Sequence, residues 1–440
     1  MMTATANTHF NESTHTDVAP QAPHIAPSEI AIGVIIGRTS EYFDFFVYGI
    51  ASVLVFPSVF FPMETRLDGM LHAFMLFALA FVARPLGTVT FMALQRRFGR
   101  ESKLTAALFL MGASTAGIAF LPTFAEWGSL SVMLLALFRI GQGIALGGSW
   151  DGLPSLLALN APPHKRGWYA MLGQLGAPVG FILAAGLFSY LLAEINAVDF
   201  TDWGWRYPFY VAFAINVVAL FARLRLVSTP EYARLLDAHE LEPAGVVEVV
   251  RTQGRNVVIG ALAALASYAL FHLVTVFPLS WITLYSLQSA DDILATQMVG
   301  AVLAIVGIVA SGLISDRFGR RRTLGALALL IALFSLLAPN LLADGWNGQR
   351  LFILLGFALL GLSYGQASGA VAANFATKYR YTGAALTSDL AWLAGAGFAP
   401  LVVLGLSAHF GLAYVGVYLL TGALGTLAAL SINRALEIRD

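Results

Sequence analysis

Cysteine is absent from all 440 residues, which excludes disulfide frameworks and thiolate metal sites while leaving the redox compartment undecided. Charge is almost as scarce. Asp, Glu, Lys and Arg make up 11% of the chain, against about a quarter of a soluble domain. The charged residues divide into 25 cations and 25 anions, so no basic excess invites nucleic acid. A Walker A loop is missing, so ATP is not the energy source, and neither an HExxH motif nor a cluster of His ligands supports an intramembrane metalloenzyme. These absences imply no cofactor and no metal. The first 28 residues lack both a basic start and an apolar core, so they do not read as a signal peptide and are expected to form a disordered tail.

Apolar residues fill the space that charge leaves. They form 58% of the chain, and the mean hydropathy is +0.75. A helix needs roughly 20 residues to cross about 30 Å of hydrocarbon, and runs of that length recur along the chain. Twelve are expected, at 29–58, 69–94, 103–123, 130–159, 166–193, 206–226, 256–287, 292–315, 322–343, 350–377, 382–408 and 411–433. Backbone groups find no water in lipid, so each run is expected to be a helix. With both termini on the cytoplasmic side, 19 of the basic residues fall in cytoplasmic turns and tails and 3 in outer loops. Such a bias fixes the orientation.

The chain repeats itself. LQRRFGRESKL from Leu94 returns 220 residues later as ISDRFGRRRTL from Ile314, with five of eleven positions identical. The polar stretch 227–255 lies midway through the twelve spans. The expected organisation is a cytoplasmic tail at 1–28, a six-helix bundle at 29–226, a linker at 227–255, a second bundle at 256–434 and a short tail at 435–440. Parallel repeats of this kind are a transporter signature.

Six segments carry a family resemblance. SEYFDFFVYG (Ser40 to Gly49), ARPLG (Ala83 to Gly87), FRIGQGIALGG (Phe138 to Gly148), NAPPHKRGWY (Asn160 to Tyr169), GQLGAPVG (Gly173 to Gly180) and STPEYARL (Ser228 to Leu235) occur in order. Together they resemble the major facilitator superfamily, and within it the metabolite:proton symporter branch of 2-oxoglutarate, citrate and proline/betaine permeases. The resemblance implies an all-α membrane protein with 12 transmembrane helices in two pseudo-symmetric six-helix bundles. It further implies uptake of a small polar metabolite (an organic acid, amino acid or betaine) with protons, by a monomer in the bacterial inner membrane. The superfamily loop G-x-L-x-D-R-x-G-R-R is intact from Gly312, giving Asp316, Arg317, Gly319 and Arg320 as gate residues. Its first copy keeps Arg97, Gly99 and Arg100 but has Arg96 in place of the aspartate. A carboxylate there can accept hydrogen bonds from a helix amino terminus and hold one conformation shut, whereas an arginine cannot. The amino-terminal latch is therefore expected to be weakened or rebuilt.

Charges inside spans cost roughly 2.5 to 3.5 kcal/mol each on the insertion scale, so they are expected to face partners or water. Arg38, Glu41, Asp44, Arg84, Arg139 and Asp389 all fall near the expected midplane and suggest a polar central cavity. Asp44 is the first candidate for a proton carrier or substrate-site carboxylate, or else a partner of Arg84 or Arg139. Arg38 and Glu41 are three apart and are expected to satisfy each other. Arg84 and Arg139 can hold a carboxylate bidentately or brace helices. Gln142 shares a face with Arg139, and Tyr42 and Tyr48 flank Asp44. His272 is either a substrate ligand or a packing residue. Where the branch commonly has Glu, this chain has Ser149, and Asp151 lies 200° around a regular helix from that face. Asp389 is the expected replacement carboxylate. A proton-driven exporter and a non-transporting membrane sensor remain alternatives.

Overall fold

The computed structural model describes residues 27–149, 161–227, 242–372 and 375–432. Asp151, Arg234, the STPEYARL segment, Arg434 and Arg439 lie outside them. Every element among the described residues is helical. Span 1 is Pro27–Leu54; spans 2 and 3 are the two arms of Arg66–Ala119, parted at Gly99; span 4 is Ser129–Gly148. Span 5 runs from Arg166–Leu172 through one tight turn into Gly176–Glu194, and span 6 is Tyr207–Val227. In the second half, span 7 joins Val246–Ala263, Leu265–Thr275 and Phe277–Tyr285, span 8 is Ala290–Phe318 and span 9 is Arg320–Ala343. Span 10 is Gly345–Tyr364, span 11 joins Thr377–Trp392 to Ala399–Phe410 through the π turn Leu393–Gly397, and span 12 is Ala413–Ile432.

The expected end of span 4, at 159, lies outside the described residues, and one other boundary differs from the sequence expectation. The helix leading into span 7 begins at Val246, inside the expected linker, because Val249, Val257 and Gly260 give it one buried face while Glu248, Arg251 and Arg255 lie outward. Mixed polarity of this sort hides a helix from a search for apolar runs.

The halves repeat one packing plan. Span 1 packs on 5 and 6, and the pair 2 and 3 on 4 and 6; span 7 packs on 11 and 12, 8 on 10, and 9 on 10 and 12. The repetition reaches individual atoms. A Cβ on Gly143 of span 4 would stand 2.6 Å from the Cα of Ala80, and a Cβ on Gly361 of span 10 would stand 2.6 Å from the Cα of Ala304. Only glycine permits either approach. Gly99 and Gly319 end spans 2 and 8 at φ 87° and 84°, a left-handed turn that favours glycine. Thr65 and Ser289 cap the starts of the same two spans by accepting the amides of Asp68 and Asp292.

Between the halves, span 8 lies on span 5 and span 11 on span 2. Span 7 is the inner helix, with 89% of its apolar window buried against 33% for span 6. The outer helices present Phe109, Val218, Phe221 and Leu336 outward, as lipid contact requires.

Candidate functional site

Arg84 and Asp389 meet where span 2 lies on span 11. Arg84 precedes Pro85, which donates no backbone hydrogen bond inside the helix, and Asp389 lies just ahead of the π turn at Leu393. Both features interrupt a regular helix, and π turns recur at functional sites. Arg84 Nε stands 2.8 Å from Asp389 Oδ1, but its N–H does not point at the carboxylate, so the contact is ionic without a hydrogen bond. Thr88, one turn along span 2, donates to Asp389 Oδ2 at 2.5 Å, and Arg84 Nη2 donates to Ser388 Oγ at 3.4 Å. The guanidinium lies 5.9 Å from the centre of the Trp392 ring.

Trp392 opens onto an aromatic cage shared by both halves. Its ring packs against Tyr268 at 4.9 Å and Phe271 at 5.0 Å between centroids. Tyr42 of span 1 is hydrogen-bonded to Tyr364 of span 10 through their hydroxyls. His272 is fully enclosed, stacked on Phe45 and edge-on to Phe77, each at 5.2 Å. Its Nδ1 is 3.3 Å from Thr275 Oγ1, while Nε2 has no hydrogen-bond partner. Beside the cage, Phe46, Phe181, Phe271, Phe357 and Tyr364 line a narrow apolar crevice of about 10 Å³.

Asp44 and Arg139 are not in this space, contrary to the expectation of one central cluster. Both are buried within the amino-terminal bundle. Asp44 accepts from Thr115 of span 3 at 2.8 and 3.0 Å, from Gln142 of span 4 at 3.3 Å and from Asn216 of span 6 at 3.1 Å. Gln142 stands between acid and base, because its Oε1 accepts from Arg139 Nη1 at 3.0 Å while its amide serves Asp44 and Thr115. The Arg139 guanidinium lies 4.0 Å from the ring centre of Tyr48 and 4.8 Å from that of Phe77, which places Tyr48 under a cation rather than in the cage. The sequence locates Asp44 by depth, yet which way it turns depends on Thr115 and Asn216, single polar residues in apolar runs. That polarity was the available signal.

Glu41 holds two arginines, Arg38 at 2.9 Å and Arg223 at 2.8 Å. Arg223 of span 6 is folded into the bundle. Ser149 lies against the same carboxylate, so the place where the branch has Glu is next to Glu41. The segment GLSYG at Gly361 has the G-x-S-x-G spacing, but it is on a helix with Ser363 donating to Leu360 O, not on the strand-to-helix turn a nucleophile needs.

The family described as sugar (and other) transporter matches residues 30–268. This chain belongs to that family. It is 35% identical to the inner membrane metabolite transport protein YhjE of Escherichia coli K12 over 435 residues, 98% of each chain, and 30% identical to the shikimate transporter of the same organism over 90% of this chain and 91% of that one. The fold matches that of a D-xylose–proton symporter with a TM-score of 0.69 at 22% identity, covering 92% of this chain and 96% of the other. The protein is therefore a major facilitator superfamily member, an integral membrane transporter of small-molecule substrates rather than an enzyme.

The transporter's repeated motif lies at one end of the molecule, where the halves touch again. Asp316 accepts the amides of Gly167 at 2.6 Å and Trp168 at 3.1 Å, at the amino terminus of span 5, where the helix dipole favours a carboxylate. Gln366 donates to Gly167 O at 3.2 Å, and Arg320 faces Gln366 and Gly369 O. Arg317 lies over Phe318, and Arg97 over Phe98. The first copy closes differently. Arg96 donates to Ala244 O at 3.2 Å, and Thr382 of span 11 donates to the same carbonyl. Lys103 donates to Gln95 at 3.1 Å and to Tyr381 of span 11 at 3.0 Å, and Tyr381 donates to Gln95. Nearby, on the exposed surface, Lys378 and Tyr379 donate to Glu248 and hold its carboxylate below the usual range.

Proposed function

We propose that the protein takes up a small metabolite bearing a carboxylate together with protons, and that Arg84 and Asp389 couple the two. The observation that carries this is an ion pair formed across the two halves, in the zone that rocking must rearrange. At rest each residue compensates the other. A substrate carboxylate that takes Arg84 leaves Asp389 with Thr88 alone, and an ion stranded in a dry site costs several kcal/mol. A proton on Asp389 removes that cost, so anion and proton travel together. Arg84 suits this exchange because its planar guanidinium can grip a second carboxylate with paired N–H groups.

The motif end is cytoplasmic on this account, both termini lie inside, and the membrane is the bacterial inner membrane, as the name of the YhjE relative supports for that protein. With Asp316, Gln366 and Tyr381 all engaged between halves, this conformation is closed toward the cytoplasm. The closure on the amino-terminal side is rebuilt from Gln95, Lys103 and Tyr381, with Arg96 redirected to the Ala244 carbonyl. Asp44, Gln142 and Arg139 brace spans 1, 3, 4 and 6 in this conformation.

Uptake of labelled organic acids, amino acids and betaines into proteoliposomes, with and without a pH gradient acid outside, tests substrate, direction and coupling together. Acid-stimulated uptake of a carboxylate supports the proposal. Transport that ignores the gradient, or that needs no carboxylate, rejects it.

A further inference from the structure

His272 of span 7 carries a polar atom that this conformation leaves without a partner. Its ring is sealed between the halves: Phe45 of span 1 stacks on it at 5.2 Å, and Phe77 and Phe81 of span 2 stand edge-on at 5.2 and 6.0 Å. Phe271 and Trp392 close it from its own half at 5.1 and 6.3 Å. The tautomer follows from Thr275. That hydroxyl uses its one proton on Phe271 O at 2.9 Å, so at 3.3 Å from His272 Nδ1 it can only accept. Nδ1 therefore holds the imidazole proton, and with no carboxylate bonded to the ring among the described residues the imidazole is neutral. Nε2 is then a bare acceptor, buried and unpaired, a state that native proteins strongly disfavour.

The rings that cover this atom come largely from the other half. Phe45, Phe77 and Phe81 belong to the amino-terminal bundle, whereas His272 moves with the carboxyl-terminal one, so the rocking that parts the halves draws them off the imidazole. Span 7 also breaks at Val276, one turn past His272 and two residues ahead of Pro278. Interrupted helices at the interface between repeats are where transporters built this way bind substrate. Going beyond the Arg84 and Asp389 centre and independently of it, we infer that Nε2 of His272 accepts a hydrogen bond from the substrate once the halves have parted. The transported compound then carries a hydroxyl or N–H donor, as a hydroxy acid or an amino acid does. A fully methylated betaine, which has no donor, is a poor ligand.

Calorimetric titration of the purified full-length protein in detergent tests this with two matched pairs. L-Proline and its N,N-dimethyl betaine share a ring and a carboxylate and differ in the N–H donors; shikimate and cyclohex-1-ene-1-carboxylate differ by three hydroxyls. In at least one pair the donor-bearing acid should bind roughly 10-fold or more tightly than its partner. His272→Phe keeps a ring of similar shape without the acceptor and should bring that ratio toward one, while His272→Gln, which restores an acceptor, should recover part of it. His272→Leu serves if the phenylalanine variant does not fold. A role in packing alone would weaken both members of a pair equally. If the donor-free acids bind as tightly as their partners, if none of the four binds, or if the variant without an acceptor keeps the preference, the inference is overturned. Arg84→Gln is the separate control: binding as in wild type removes the Arg84 reading and leaves the His272 result as it stands.

Discussion

Arg84 of span 2 and Asp389 of span 11 stand 2.8 Å apart across the boundary between the two halves, in ionic contact but out of hydrogen-bond alignment. Each charge of the pair compensates the other inside the protein. Removing Arg84 therefore removes both the anion's landing site and the charge that keeps Asp389 tolerable. Arg84→Gln is expected to lower uptake about 30-fold or more, since truncating one member of a buried charge pair costs about 2–5 kcal/mol. Arg84→Lys, which keeps the charge but not the fork, should lose less. Initial rates in proteoliposomes measure both.

Asp44 should behave differently from Asp389. In Asp44→Asn, an amide faces the amide donors of Gln142 and Asn216, so at least one buried donor loses its acceptor. The expected result is a loss of about 1–3 kcal/mol of stability, seen as a lower thermal midpoint, with KM close to that of wild type. A raised KM at unchanged stability would place Asp44 on the substrate path after all.

The Asp316 latch can be read out cleanly because the chain has no cysteine. Ser368→Cys puts one thiol beside the closure, where the native hydroxyl donates to Ala170 O. Adding Asp316→Asn leaves one neutral oxygen for two amide donors, so either Gly167 or Trp168 loses its acceptor, a cost of at least about 1 kcal/mol. The reaction of that single introduced thiol with a maleimide should quicken roughly fivefold, the factor that 1 kcal/mol represents. An unchanged rate would mean that the Asp316 contact does not bias the closure.

On the other side of the same closure, Tyr381→Phe leaves Lys103 and Gln95 each one bond short inside the protein, and should destabilise by about 1–3 kcal/mol. Arg96→Ala removes one bond from an exposed side chain and should change stability by no more than about 0.5 kcal/mol. Thermal unfolding of the two variants distinguishes a rebuilt latch from a vestigial one.

Glu248 gives a pH control. Its carboxyl is held below the ordinary value of 4.5 by hydrogen bonds from Lys378 and Tyr379. A lowered folded value means that the contact is complete above that range and is lost only as pH falls through the depressed value. Between about pH 5 and pH 8, then, Glu248→Gln and wild type should show pH–uptake profiles of the same shape. A profile that flattens in the variant would assign the pH sensitivity to this surface contact.

Much of the architecture was legible because lipid leaves so few options: apolar length gave the helices, and the repeated RFGR placed the halves in register. Arg84 and Asp389 were legible as charges in the wrong solvent. Their pairing was not, since they come from different halves and no local spacing links them. Periodicity gives depth along a helix but not which neighbour the residue meets, which is why Asp44 and Arg139 were expected in the cavity and turned out to be enclosed by Thr115, Gln142, Asn216 and Tyr48. The substitution at Arg96 flags an altered contact at this end, but the residues that bridge the halves there, Gln95, Lys103 and Tyr381, carry no motif.

The most direct test of the coupling centre compares two assays on Asp389→Asn in proteoliposomes, using the labelled carboxylate that wild type takes up fastest. Counterflow requires only substrate binding and rocking, whereas accumulation against a gradient requires the proton. The account predicts counterflow within about tenfold of wild type, consistent with a loss below roughly 1.4 kcal/mol, and no accumulation driven by external acid. Acid-driven accumulation at the wild-type level in Asp389→Asn would contradict it.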